Sequence, residues 1–119
     1  MMNSLLFVYG TLNPYGDILS QMDISFEIRG NGHIMGTRIP DKEYPSVVPS
    51  IEGREEVING IIIDLLCPDV DMMILDDYEN YYINDVHNSM YVRTQTRVTL
   101  ENGESEMCWI YWYNVSSKN

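Results

Sequence analysis

The stretch from Val57 to Leu66 constrains the fold more than any other. It carries Ile61-Ile62-Ile63 at its centre. β-Branched residues in series are stiff at χ1 and suit a strand far better than a helix. The run therefore predicts the strongest strand of the chain, with Gly60 marking a bulge within it. Pro68 then opens a helix expected from about Asp69 to Asn80, because proline suits the first helical turn and Asp69 and Asp71 suit a helix N-terminus.

The rest of the chain reads mainly as further strands. Leu5–Tyr9 is short, apolar and ended by Gly10, which marks a buried strand. Asn13-Pro14-Tyr15-Gly16 is loop chemistry, and Asp17–Met22 reads as a helical turn or two capped by Asp17. Ser25–Arg29 and His33–Ile39 read as two strands around a Gly30-Asn31-Gly32 turn. Asp41-Lys42-Glu43 is a polar turn, and Tyr44–Val48 is a proline-broken edge strand. Tyr91–Leu100 and Glu106–Tyr113 form a hairpin across Glu101-Asn102-Gly103-Glu104, since Asn-Gly is a strong hairpin signal. Many strands with one good helix predict an α+β domain built on a strongly curved sheet or small mixed β-barrel, with one or two helices. The 119 residues suffice for one core, so residues 1–119 are expected to form a single domain with a tail from about 115.

Charge narrows the partners. Asp and Glu outnumber Lys and Arg 18 to 7, a formal net charge of -11. That field repels nucleic-acid phosphates and anionic membranes, so neither is an expected partner. An anionic substrate then needs local donors such as backbone N–H groups. No segment approaches the roughly 18 apolar residues of a membrane helix. The first residues lack a basic start and a long apolar run, so a cytoplasmic location is expected by default. Cys67 and Cys108 make no zinc or redox spacing and are expected to be buried thiols. His33 and His87 stand apart from any metal-ligand spacing, so no metal is expected.

Two segments carry candidate chemistry. On a helical wheel Met72, Ile74, Leu75, Tyr78, Glu79 and Tyr82 share one face, with Asp69, Asp76, Asp77 and Asn80 opposite. Glu79 is thus a carboxylate at the edge of a packing face. Periodicity leaves two readings open: a glutamate that snorkels at the boundary, or one with a task. Partial burial, the charge of Asp76 and the helix C-terminus would each raise its proton affinity. In the second segment, Tyr9-Gly10-Thr11-Leu12, a glycine directly after a buried strand lets successive N–H groups converge on an anion; an ordinary turn is the plainer reading. Nine tyrosines exceed what the core needs, so some should line a pocket.

The order of these features resembles the gamma-glutamylcyclotransferase-like family from near Leu5 to near Tyr113. The matching residues are Phe7-Val8-Tyr9-Gly10-Thr11-Leu12, Tyr44-Pro45, Asn59-Gly60-Ile61-Ile62-Ile63, Leu75-Asp76-Asp77-Tyr78-Glu79, Tyr91-Val92-Arg93 and Trp109-Ile110-Tyr111-Trp112-Tyr113. The chain is most similar to small members acting on gamma-glutamylamines. It departs where Asn80 stands for a frequent glycine, Asn13 for a frequent Lys or Arg, and isoleucine for an acidic residue after Gly60. The resemblance implies a β-barrel-like fold and a cofactor-independent reaction on a small-molecule gamma-glutamyl substrate. That reaction yields 5-oxoproline and a free amine or amino acid. It implies Glu79 as the catalytic acid/base, and Tyr9, Gly10, Thr11, Leu12 and Tyr113 as substrate-binding residues. Two alternatives remain open: a non-catalytic small-ligand binding module on the same fold, and a tailoring enzyme that unmasks a larger amine.

Overall fold

The computed structural model describes residues 2–40, 42–44 and 46–115. The elements run β1 (Leu5–Val8), α1 (Ile18–Gln21), β2 (Phe26–Arg38), β3 (Val47–Pro49), β4 (Glu56–Leu65), α2 (Pro68–Tyr78), β5 (Tyr91–Leu100) and β6 (Ser105–Tyr113), with a 3-10 turn at Val86–Asn88 before β5. Their order in the sheet is β3-β2-β4-β1-β6-β5, and β5 pairs back onto β2 through Gly32↔Leu100 and His33↔Thr99. Five strands thus close a barrel and β3 extends it. The pairing of β1 with β6 is parallel and the others are antiparallel, so the barrel is mixed, as the strand-rich pattern predicts.

Side-chain alternation sorts each strand between two cores. Phe7, Ile58, Ile62, Val98, Cys108 and Ile110 fill the barrel. Leu6, Val8, Ile63, Leu65 and Tyr111 point the other way, under Met72 and Leu75 of α2, Leu19 of α1, and Leu12 and Ile24 of the early loops. β1 and the Ile62-Ile63 part of β4 lie between the two cores, which is why Leu5–Val8 and Ile61-Ile62-Ile63 read as continuous apolar runs.

Several local expectations change. Gly30-Asn31-Gly32 is not a hairpin turn: β2 runs straight through it to match β4 from Phe26↔Leu65 to Gly36↔Glu56. The ladder slips between Ile28 and Gly30, where Gly30 adopts φ +151, so the irregularity falls there and not at Gly60. Gly60 sits in register opposite Gly32, and a Cβ on it would lie 2.4 Å from the Val8 carbonyl oxygen and 2.5 Å from the Phe7 ring. Glycine is there so that β1 can press against β4. The edge strand is Val47–Pro49, displaced from Tyr44–Val48, and Asp41, Pro45 and the tail from 116 lie outside the described residues. Asp17 precedes α1 without a side-chain cap. Cys108 is buried in the barrel, but Cys67, expected buried, is exposed. The β5–β6 hairpin turns as expected, with the Leu100 N–H donating to Glu104 O at 2.8 Å. No helix among the described residues is long and apolar enough to cross a membrane.

Candidate active site at the end of helix α2

Helix α2 stops one residue short of Glu79. Asn80 takes the left-handed conformation at φ +55, the Tyr81 N–H donates to Asp76 O at 2.8 Å, and the Asn80 N–H donates to Asp77 O at 3.2 Å. This is a Schellman ending, and asparagine is the residue besides glycine that tolerates its left-handed position. It accounts for Asn80 where the family resemblance leads one to expect glycine. The ending holds Glu79 at the cap, its own N–H bonded to Leu75 O at 2.9 Å.

Glu79 is half-buried, and among the described residues no side chain pairs with its carboxylate. Burial pushes its pKa from 4.5 up to about 7. Asp76 is not the cause, contrary to the expectation from its spacing. Its carboxylate faces inward and is held by Arg93, Nε to Oδ1 at 2.7 Å and Nη2 to Oδ2 at 3.0 Å, while the Tyr111 hydroxyl donates to Oδ1 at 2.7 Å. The wheel placed Asp76 on the solvent side. It also placed Tyr78 and Tyr82 on the packing face, yet both are exposed, because the helix ends at Tyr78 and β5 brings Arg93 under Asp76. Arg93 is itself sandwiched, 4.4 Å from the Trp109 ring centroid and 5.7 Å from that of Tyr81. This network clamps the last turn of α2 to the barrel. Its one sequence signal was the arginine in Tyr91-Val92-Arg93, which gave no hint of its partner.

The loop after β1 faces Glu79. Asn13 N–H donates to Gly10 O at 3.1 Å, closing a tight turn, and buried Leu12 anchors the turn in the outer core. Gly10 does not use the left-handed region, so the loop is an ordinary turn and not a left-handed nest. Even so, among the described residues the N–H groups of Gly10, Thr11 and Leu12 have no hydrogen-bond partner. The Tyr9 hydroxyl donates to the Tyr111 carbonyl. Burial raises the pKa of both Tyr9 and Tyr111, so both rings stay neutral and serve as bonded walls, not bases.

Glu79, Tyr9, Gly10, Thr11 and Leu12 come together around a narrow cleft of about 40 Å³, completed by Phe7, Val8, Tyr44, Tyr91 and Tyr111. Tyr113 is not among its walls. Its ring packs edge-on against Tyr91, centroids 5.9 Å apart, so the last-strand tyrosine lining the cleft is Tyr111. The cleft is small, with room for a few atoms of a ligand at its narrowest part. Wider recesses share its walls: one of about 430 Å³ through Val8, Tyr9 and Gly10, and one of about 610 Å³ through Tyr44. His33 lines the first of these and His87 is exposed. Among the described residues no three His, Cys, Asp or Glu side chains group as a metal site.

The family model for gamma-glutamyl cyclotransferase, AIG2-like, matches residues 6–119. The fold is similar to an AIG2-like protein from Mus musculus, with TM-score 0.70 and 21% identity over 98% of this chain and 80% of that one. It is also similar to a gamma-glutamyl cyclotransferase, with TM-score 0.66 and 16% identity over 92% of this chain and 66% of that one. A protein from Arabidopsis thaliana gives TM-score 0.63 and 21% identity over 99% of this chain and 74% of that one. No curated protein matches the sequence.

Proposed function

The chain belongs to the gamma-glutamyl cyclotransferase, AIG2-like family, and on that premise we propose that it converts a gamma-glutamyl amine or amide into 5-oxoproline and a free amine, with Glu79 as general acid and base. The observation that supports this reading is a half-buried carboxylate lining one narrow cleft with Gly10, Thr11 and Leu12, where among the described residues neither the carboxylate nor those three backbone N–H groups has a partner.

The substrate's alpha-ammonium must first lose a proton, and Glu79 takes it. With its pKa near 7, Glu79 is a stronger base than an exposed glutamate, yet still substantially ionised at neutral pH. The freed amine attacks the gamma-carbonyl carbon of the same glutamyl group and closes a five-membered ring. Negative charge gathers on the carbonyl oxygen, and the N–H groups of Gly10, Thr11 and Leu12 are assigned to receive it or the substrate carboxylate. The C–N bond to the leaving group then breaks as Glu79 returns the proton to the departing nitrogen; the ring nitrogen gives up its second proton, which the released amine takes up as an ammonium, leaving the neutral lactam. Nothing is oxidised or reduced, and no cofactor enters. The cleft holds the glutamyl chain folded, which supplies the orientation an intramolecular attack requires. The Tyr9 ring walls the cleft, and the Tyr113 hydroxyl, outside its narrow part, is assigned to the substrate at the rim.

The test is release of 5-oxoproline from a panel of gamma-glutamyl compounds, in buffer with EDTA. Glu79→Gln should lower turnover by roughly 100-fold or more with an unchanged circular dichroism spectrum. Near-normal turnover in the variant would sink the mechanism. Binding of the panel without any 5-oxoproline would establish the binding module instead.

A further inference from the structure

Among the described residues nothing pairs with the Glu79 carboxylate, so its position follows the backbone of the last turn of α2. That turn is fixed through Asp76. The Asp76 carbonyl accepts the Tyr81 N–H at 2.8 Å. Its carboxylate takes Arg93 of β5 and the Tyr111 hydroxyl of β6, each to Oδ1 at 2.7 Å. Asp76 precedes Glu79 by about one helical turn, so a shift of one moves the other.

The opposite side of the cleft has a tether of its own. β1 ends at Val8, and its parallel pairing with β6 is brief, at Leu6↔Trp109. The bond from the Asn13 N–H to Gly10 O is internal to the turn that follows, and buried Leu12 anchors only its far end. The start of the loop is tied across to β6 by the Tyr9 hydroxyl, which donates to the Tyr111 carbonyl.

Tyr111 therefore meets both sides. Its hydroxyl holds the helix end that carries Glu79, and its carbonyl holds the residue just before Gly10, Thr11 and Leu12. Its ring is buried and is itself a wall of the cleft. β6 pairs with β5 from Tyr91↔Tyr113 to Thr99↔Ser105, which makes it a firm reference for both. Glu79 is faced by Tyr9 from the loop, Tyr91 from β5 and Tyr111 from β6, and its charge is felt at all three hydroxyls, with a positive field from Arg38 added at Tyr9.

We infer that Tyr111 is a positioning residue whose hydroxyl and carbonyl, through Asp76 and Tyr9, set the spacing between Glu79 and the N–H groups of Gly10, Thr11 and Leu12. The catalytic readout rests on the cyclisation reading, but the spacing can be followed without turnover.

Tyr111→Phe and Tyr9→Phe each delete one hydroxyl and keep the ring. Both, and the double variant, are to be assayed for 5-oxoproline release from the gamma-glutamyl compound that the wild type turns over fastest. Ionisation of Glu79 is to be followed by carboxyl-carbon NMR. Two links in series fail together. Each single change should lower kcat about tenfold with KM little altered, and the double change should also cost about tenfold. In all three Glu79 should titrate below its value of about 7, toward 4.5, because a looser cleft admits water. Arg93→Leu/Asp76→Leu removes the charge pair whole, and with it the acceptor of the Tyr111 hydroxyl. It should lose kcat to the same degree even where urea unfolding shows a stable fold. Hydroxyls acting separately give losses that multiply to about a hundredfold, and that result overturns the link. So does unchanged kcat in either single variant, full turnover in Arg93→Leu/Asp76→Leu, or a Glu79 that titrates near 7 throughout. If the wild type releases no 5-oxoproline the titration decides alone: an equal downward step in the singles and the double upholds the link while the reaction falls.

Discussion

Replacing Glu79 by glutamine should stabilise the protein at alkaline pH while disabling it. In the folded chain the carboxyl holds its proton up to about pH 7, whereas in the unfolded chain it ionises near 4.5. Between those values the native state binds more protons than the unfolded state, so this group makes stability fall as pH rises. The fall is complete above pH 7 and absent below pH 4.5. At about 1.4 kcal/mol for each tenfold change in acidity, the full cost of ionising Glu79 in its cleft is ~3 kcal/mol. The side chain is not wholly enclosed and water reaches the cleft, so the realised cost is about 1–2 kcal/mol. Glutamine has the same shape and no charge, and avoids the cost. Urea unfolding of both proteins from pH 4 to pH 8 isolates the effect, because every other titrating group is common to both. The stability gap in favour of Glu79→Gln should be near zero at pH 4 and open between pH 4.5 and 7. It should then hold at about 1–2 kcal/mol, or ~5 °C in Tm for a domain of this size. A gap that is flat with pH, or a variant less stable at pH 8, would refute the claim that burial governs this carboxylate.

Two further substitutions probe the frame of the site. Gly10→Val crowds the anion-facing turn and should raise KM about tenfold with little change in kcat, and an unchanged KM measured by 5-oxoproline release would remove this loop from substrate binding. Arg93→Leu strands the inward-facing Asp76 carboxylate and should cost about 3 kcal/mol in chemical denaturation, whereas Arg93→Leu/Asp76→Leu should recover most of it. A double change as harmful as the single one would show that the pair matters for shape and not for charge compensation.

Some of this protein was legible in order of residues alone. The isoleucine run and Leu5–Tyr9 announced strands, Pro68 announced the helix, and Asn102-Gly103 announced the hairpin, because each depends on local sterics that a few neighbouring residues decide. The sequential order of short motifs was likewise enough to resemble the right family and to bring Glu79 and residues 9–12 forward together. Gly30-Asn31-Gly32 shows where local chemistry runs out. The same three residues suit a turn or a bulged strand, and only pairing along β4, with β5 closing over Gly32, selects the strand. Asp76 and Asp77 are equivalent by type, and it is Arg93, 17 positions along the chain, that draws Asp76 inward. Tyr111 and Tyr113 share a face by alternation, but the rings around them decide which one walls the cleft. The proton affinity of Glu79 belongs to this second class. Periodicity could place it at the edge of a buried face, but how far water is excluded depends on β1, its loop and the barrel rim meeting the end of α2, contacts that only the closed tertiary structure creates.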